Sequence, residues 1–207
     1  MIVHADHRET VFVRFADAPW VASPEPGVAR KLLERDGGEV ARATSIVRYA
    51  PGSSFAHHVH ERGEEFLVLD GVFSDEHGDY GPGCYVRNPP GSRHRPFSRA
   101  GCTIFVKLRQ FAPDDLARRV IGATASKELH VHGSEHVELR RLVTATTIAR
   151  DAGGIEILVV EGHATLDGVD APRWTWWRTP GRSVAVTPRG SALLWIKSGH
   201  LDLRAST

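Results

Sequence analysis

The chain repeats itself. Glu65-Phe-Leu-Val-Leu-Asp-Gly71 is echoed by Glu156-Ile-Leu-Val-Val-Glu-Gly162, and Arg87-Asn-Pro89 by Arg178-Thr-Pro180, both 91 residues on. An earlier match, Leu33-Glu-Arg-Asp-Gly-Gly-Glu39 with Leu129-His-Val-His-Gly-Ser-Glu135, is offset by 96. A second half that copies the first predicts two similar units in tandem. The second copy is five residues shorter between the first and second matches, where the first copy carries a histidine-rich stretch. At 207 residues, two units of about 100 residues each are of ordinary domain size.

Strand signals fill both copies. Residues 40–49, 66–69, 103–108, 137–143, 155–160 and 193–196 are short, rich in β-branched or aromatic side chains, and bounded by Gly, Pro or Asp. Turn signals recur at Pro51-Gly52, Asp70-Gly71, Gly81-Pro82-Gly83, Pro89-Pro90-Gly91, Gly153-Gly154 and Pro180-Gly181. Such punctuation predicts a sandwich or barrel. Residues 27–35 and 113–121 read as short helices, the second opening on Pro113-Asp114-Asp115, acids suited to a helix N-terminus. The expected architecture is therefore all-β with one or two short helices. It divides into a barrel over 1–110, a linker or crossover helix over 111–128, and a barrel over 129–207.

Charge argues against a nucleic-acid partner. Lys and Arg number 26 against 25 Asp and Glu, a formal net charge of +1, and no basic stripe stands out. No apolar run approaches the ~20 residues of a membrane-spanning helix, and Met1-Ile-Val-His-Ala-Asp-His-Arg8 has no signal-peptide core. A soluble, cytoplasmic protein is expected, with no membrane partner. Cys84 and Cys102 lie outside any CxxC or Cys/His cluster, so a thiolate zinc site is not indicated and reduced, partly buried thiols are expected.

Chemistry concentrates in the first copy. His58 and His60 are two apart, which on a strand puts both imidazoles on one face. Glu64 follows in the next strand or the turn into it, and Pro89-Pro90-Gly91 would aim His94 back at the same place. Three imidazoles and a carboxylate suit one divalent ion: zinc or ferrous iron foremost, with nickel, manganese, cobalt and copper also accommodated. Glu65 competes with Glu64, because adjacent strand residues face opposite sides and only one can be a ligand. His57 should point away.

These residues resemble the cupins. Gly52, His58, His60, Glu64 and Gly71 match the first cupin motif, G-x5-H-x-H-x3-4-E-x6-G, in full. Gly83, Pro89, Gly91 and His94 match the second, with Ser98 where its final Asn belongs. The runs from Glu64 to Tyr80 and from Arg87 to His94 are similar to the sensor cupin of ChrR-type anti-sigma factors, and to cupin dioxygenases that act on small diketones and hydroxy-ketones. The resemblance implies a tandem double-stranded β-helix, a bicupin, whose second, degenerate barrel is metal-free. Zinc would follow from the first likeness and iron from the second, and edge-to-edge pairing allows a homodimer. The helical H-x3-C-x2-C module of the anti-sigma factors is not matched, since no Cys precedes Cys84, and an anti-sigma role does not carry over.

Other residues divide between ligand contact and structure. Tyr85 and Arg87 could line the pocket, Arg87 holding an anionic substrate, or Arg87 could be paired structurally. Asp75, Glu76, His77 and Asp79 read as a solvated turn, His130, His132 and His136 as a polar loop before a strand, and Trp174, Trp176 and Trp177 as packing. The leading functional expectation is a metal-dependent, dioxygenase-type enzyme acting on a small oxygenated organic molecule. A zinc-binding sensor or ligand-binding module is the alternative, and a metal-dependent isomerase or lyase a further one.

Overall fold

The six segments with strand signals all form sheet in the structure, a computed structural model that describes residues 1–38, 40–123, 126–201 and 203. Among the described residues there is no helix. Nor, consequently, is any helix long and apolar enough to cross a membrane.

Both expected helices are strands. Residues 27–35 fall in Val28–Gly37, which pairs antiparallel with Ala41–Tyr49 through a bulge between Leu32 and Glu34. The helix formers of that segment yield to cross-strand pairing, which decides conformation when a neighbouring strand is available. Residues 113–121 contain a turn and then the strand Arg119–Ile121, paired with Tyr85–Arg87. Asp115 does not cap a helix; its carboxylate is buried against Arg87. The described part of 111–128 therefore forms no crossover helix. Residues 124 and 125, and Glu39 of the earliest repeat match, lie outside the described residues.

Two compact units emerge, one of Met1–Ala5 and Ala18–Thr124, the other of Asp6–Asp17 and Ala125–Thr207. The first holds a seven-stranded sheet in the order Arg119–Ile121, Tyr85–Asn88, Glu64–Gly71, Cys102–Leu108, Ala41–Tyr49, Val28–Gly37, Val21–Ala22. A four-stranded sheet (Ser53–Ser54, Phe97–Ser98, Phe73–Asp75, Gly78–Tyr80) and a two-stranded ribbon (His58–His60 with Ser92–His94) complete it. Its core gathers Val47, Tyr49, Phe66, Val68, Phe73, Val86, Ile104 and Val106, with Cys84 and Cys102 buried among them as free thiols. Burial pushes both thiols up, that of Cys102 to about 11.

The second unit is one eight-stranded sheet around Ile155–Leu166 and Val184–Ser198. Its outer strand is Val11–Val13, which pairs with Trp176–Arg178. The core takes Ile155, Ile157, Val159, Trp177, Leu194 and Ile196. Segment 129–136 is no loop: it lies in the strand pair Lys127–His132 and Glu135–Leu142, with His130 buried.

The 91-residue offset reappears as register. Glu65 sits opposite Arg87 and Lys107 in the first unit, and Glu156 opposite Arg178 and Lys197 in the second. Tyr85 donates its hydroxyl to Glu65 Oε2 at 2.5 Å, and Trp176 its indole N–H to Glu156 Oε1 at 2.6 Å. All eight side chains are buried. Each unit thus carries a row of buried charges across its sheet, matched in sign.

Gly71 closes its strand and Gly162 sits at a register break inside Ile155–Leu166, with φ of +71° and +74°. A Cβ at Gly71 would collide with the Gly101 carbonyl, and one at Gly162 with that of Ser191. Gly71→Ala should therefore lose the about 1–3 kcal/mol of left-handed strain plus the clash, read as an earlier urea midpoint. A midpoint equal to the native one would contradict this packing.

Candidate metal centre

The ribbon His58–His60/Ser92–His94 builds the site. Its register places His94 directly opposite His58, and His60 lies two residues along on the same side. The Gly91 N–H donates to the His60 carbonyl at 2.9 Å, tying the Pro89–Gly91 turn to the ribbon. Centroids of the three rings stand 4.7, 5.2 and 4.9 Å apart. One ring nitrogen from each lies within 4.8 Å of the others. The Nε2 atoms of His60 and His94 face each other at 2.9 Å. His57 is exposed.

Strand alternation separates the two glutamates. Glu64 shares the inner face of its strand with Phe66 and Val68; its Oε2 lies 3.4 Å from His60 Nε2 and 3.5 Å from His94 Nε2. Glu65 points to the other face and pairs with Arg87 at 2.7 Å. Tyr85 and Arg87 lie on that face too, so neither lines the cavity beside the histidines. Arg87 also donates to Asp115 Oδ2 at 2.5 Å and stacks over Phe111 at 4.0 Å. The pocket reading of these two residues gives way to the paired one: on Tyr85–Asn88, Val86 and Asn88 are the inward positions.

Three groups that sequence reading missed hold the site in place. Asp75, assigned to a solvated turn, is 6% exposed and accepts from His94 Nδ1 at 3.0 Å. Its other oxygen accepts from the His77 N–H and the Tyr80 hydroxyl. Asn88 donates its amide to Glu64 Oε2 at 3.1 Å. The Ala56 carbonyl accepts from His58 Nδ1 at 2.9 Å. With Nδ1 engaged, the Nε2 lone pairs of His58 and His94 are left for the centre. The signal for Asp75 was faint, an acid in a polar hairpin whose strand pairing brings it under His94.

Electrostatics follow this wiring. Burial disfavours the charge on Glu64, but the imidazoles of His60 and His94 and the Asn88 amide outweigh it and hold the carboxyl below its usual range. Burial lowers His60, helped by the neighbouring imidazoles and opposed by Glu64. Burial also works against charge on His94, yet the Asp75 hydrogen bond and the Glu64 carboxylate raise it overall.

Above the centre lies a cavity of about 360 Å³. Val47, Tyr49, Ile104 and Val106 wall it, while His58, His60 and Glu64 line its polar end. Its size suits a small molecule. The arrangement offers a convergent set of nitrogen and oxygen donors next to a cavity that has both apolar walls and charged side chains.

The family model of the ChrR cupin-like domain matches residues 8–112, just over half of the chain. The chain belongs to this cupin family. Its fold is shared with solved cupin structures. The bacterial pirin YhhW of Escherichia coli, in complex with nickel(II), has a TM-score of 0.75 at 12% identity over 94% of this chain and 100% of that one. A candidate dioxygenase from Nostoc punctiforme reaches 0.68 at 12%, over 97% and 86%. An oxalate decarboxylase reaches 0.61 at 12%, over 92% and 77%. Identities this low carry the fold alone. Comparison with curated proteins finds no match.

In this cupin, Asp75 would act on an ion through His94. Replacing the oriented carboxylate by an amide, Asp75→Asn, should weaken metal binding roughly 10–100-fold, measured by competition with a chromogenic chelator. An unchanged affinity would remove Asp75 from the centre.

Proposed function

We propose that the first unit binds one divalent metal ion through His58, His60, Glu64 and His94. We further propose that it works as a metal-dependent enzyme of dioxygenase type on a small oxygenated organic molecule in the adjoining cavity. The observation that carries this reading is the meeting of three ring nitrogens and a carboxylate at one end of a cavity sized for a small molecule. The residues fit an ion: two of the imidazoles have their Nδ1 sides engaged by acceptors, and Glu64 is held ionised by the surrounding imidazoles. That a protein of the same fold holds nickel(II) supports a first-row metal.

When bound, the ion would supply Lewis acidity and, if ferrous, reactivity toward dioxygen. The chain's own groups do the rest. Asp75 fixes the orientation of His94, and Asn88 that of Glu64. The Glu64 carboxylate offsets part of the ion's charge. Val47, Ile104 and Val106 supply an apolar wall for the carbon skeleton of the substrate.

The test is the metal content of protein purified without added metals, followed by oxygen-electrode assays with β-diketones. Iron near one equivalent with dioxygen uptake is the expected result. The family match favours a second reading, a non-enzymatic, zinc-holding cupin that binds a ligand. Stoichiometric zinc and no uptake with restored iron would replace the enzyme with that module.

A further inference from the structure

The first unit's cavity has a polar group remote from the histidine ribbon. Arg30 lies on Val28–Gly37 opposite Val47, so its side chain shares the inner face with that core residue and lines the cavity. Its Nε is shut off from solvent and has no hydrogen-bond partner. Among the described residues the guanidinium makes no ion pair either. The residue as a whole is half-buried, so the terminal nitrogens of the guanidinium are the donors it can offer the cavity. The other cavity cations and anions are accounted for. Arg109 donates to Glu61 at 2.9 Å, and Glu64 belongs to the histidine cluster. Glu25 carries a carboxylate that is not shut off from solvent. Tyr49, 5% exposed, lines the same cavity, and its hydroxyl makes no hydrogen bond among the described residues. Its ring is set by edge contacts with Phe55 and Phe73.

We propose that the cavity takes a small organic anion, a keto acid or hydroxy acid, whose carboxylate is received by Arg30 and Tyr49 while its second oxygen function points toward the histidine cluster. This deepens the metal-dependent reading above and rests on it for the second contact. Guanidinium matches carboxylate geometry with paired N–H donors, and a phenol adds one more donor. Apolar walls with a few convergent polar groups are what a selective small-molecule site requires. A neutral diketone lacks the charge that Arg30 receives, so it should bind more weakly than a keto acid of the same size.

The test compares acetoacetate with its methyl ester, molecules alike except for the charge. Both are titrated calorimetrically, without dioxygen, into protein whose metal content has been measured first. Acetoacetate should bind more tightly than the ester. Arg30→Gln should weaken acetoacetate roughly tenfold to a hundredfold, the range for a charge-assisted hydrogen-bonded contact, and leave the ester and the metal content unaltered. Tyr49→Phe, a milder change that keeps the core filled, should weaken acetoacetate less and in the same direction. Equal affinity for acid and ester, or acetoacetate binding indifferent to Arg30→Gln at full metal content, would overturn the inference while leaving the metal proposal standing. Wild-type protein that takes up no metal would instead sink the metal proposal.

Discussion

His58→Ala/His60→Ala should purify without metal, even when the wild-type protein carries one equivalent. Two of the four proposed donors are gone, and the remaining pair, Glu64 and His94, cannot complete a coordination shell. The loss should exceed the roughly 10–100-fold change expected when only an outer partner is removed. Metal analysis after gel filtration reads it directly, and unchanged far-ultraviolet circular dichroism shows that the sheets survive. Full metal occupancy in the double variant would mean that the centre is elsewhere. Acid should produce a graded version of the same loss. An imidazole must be neutral to bind, so proton and metal compete. His94 holds its proton at higher pH than an ordinary histidine, whereas His60 gives its proton up more readily. As pH falls, affinity should therefore begin to decline above the usual imidazole range as His94 takes a proton, with His60 following at lower pH. Chelator competition across pH measures that decline.

Arg87→Ala should be the most destabilising single change in the first unit. Arg87 is fully buried and holds two carboxylates, Glu65 at 2.7 Å and Asp115 at 2.5 Å, both also buried. Its removal strands two negative charges in the interior, although Lys107 sits opposite Glu65 on the next strand. Breaking a buried ion pair in this way costs about 3–5 kcal/mol, against a typical total stability of about 5–15 kcal/mol. Urea denaturation should show that drop, and the folded fraction should keep its metal because Arg87 lies on the sheet face away from the histidines. A loss below about 1 kcal/mol, the scale of an exposed pair, would contradict the burial described. Arg178→Ala tests the repeated row in the second unit with the same expectation.

The ligand candidates are legible in the sequence because their spacing carries geometry. The i, i+2 histidines must share a strand face, and the same rule that leaves Glu64 and Glu65 in competition assigns them once the strand's inner residues are known. The repeat is legible because its matched residues, Glu65 and Glu156, Arg87 and Arg178, are cross-strand partners whose identities the buried row demands. The misread parts have physical causes. Val28–Gly37 is rich in helix formers, and pairing with the neighbouring strand Ala41–Tyr49, a contact that local helix propensity does not register, turns it into sheet. Asp75 looks solvated from its polar neighbours, and its burial depends on His94, nineteen residues away. Arg30 has no motif at all. Its interest arises from its place in the cavity wall with no ion pair among the described residues, which only the folded arrangement discloses.

The pairing of Val11–Val13 with Trp176–Arg178 also shapes how the protein must be made. The strand Val11–Val13 belongs to the second unit, and its partner is synthesised more than 160 residues later. At roughly 5–20 residues per second, Val11, Phe12 and Val13 wait about ten to thirty seconds as an unpaired apolar segment. During that interval they are a natural client for holdase chaperones and a point of entry for mispairing with another nascent chain. A cut after residue 124 would separate the halves on paper, yet it would leave Trp176–Thr179 as an open sheet edge. An independent second half would have to be built by circular permutation, with residues 6–17 transplanted onto it.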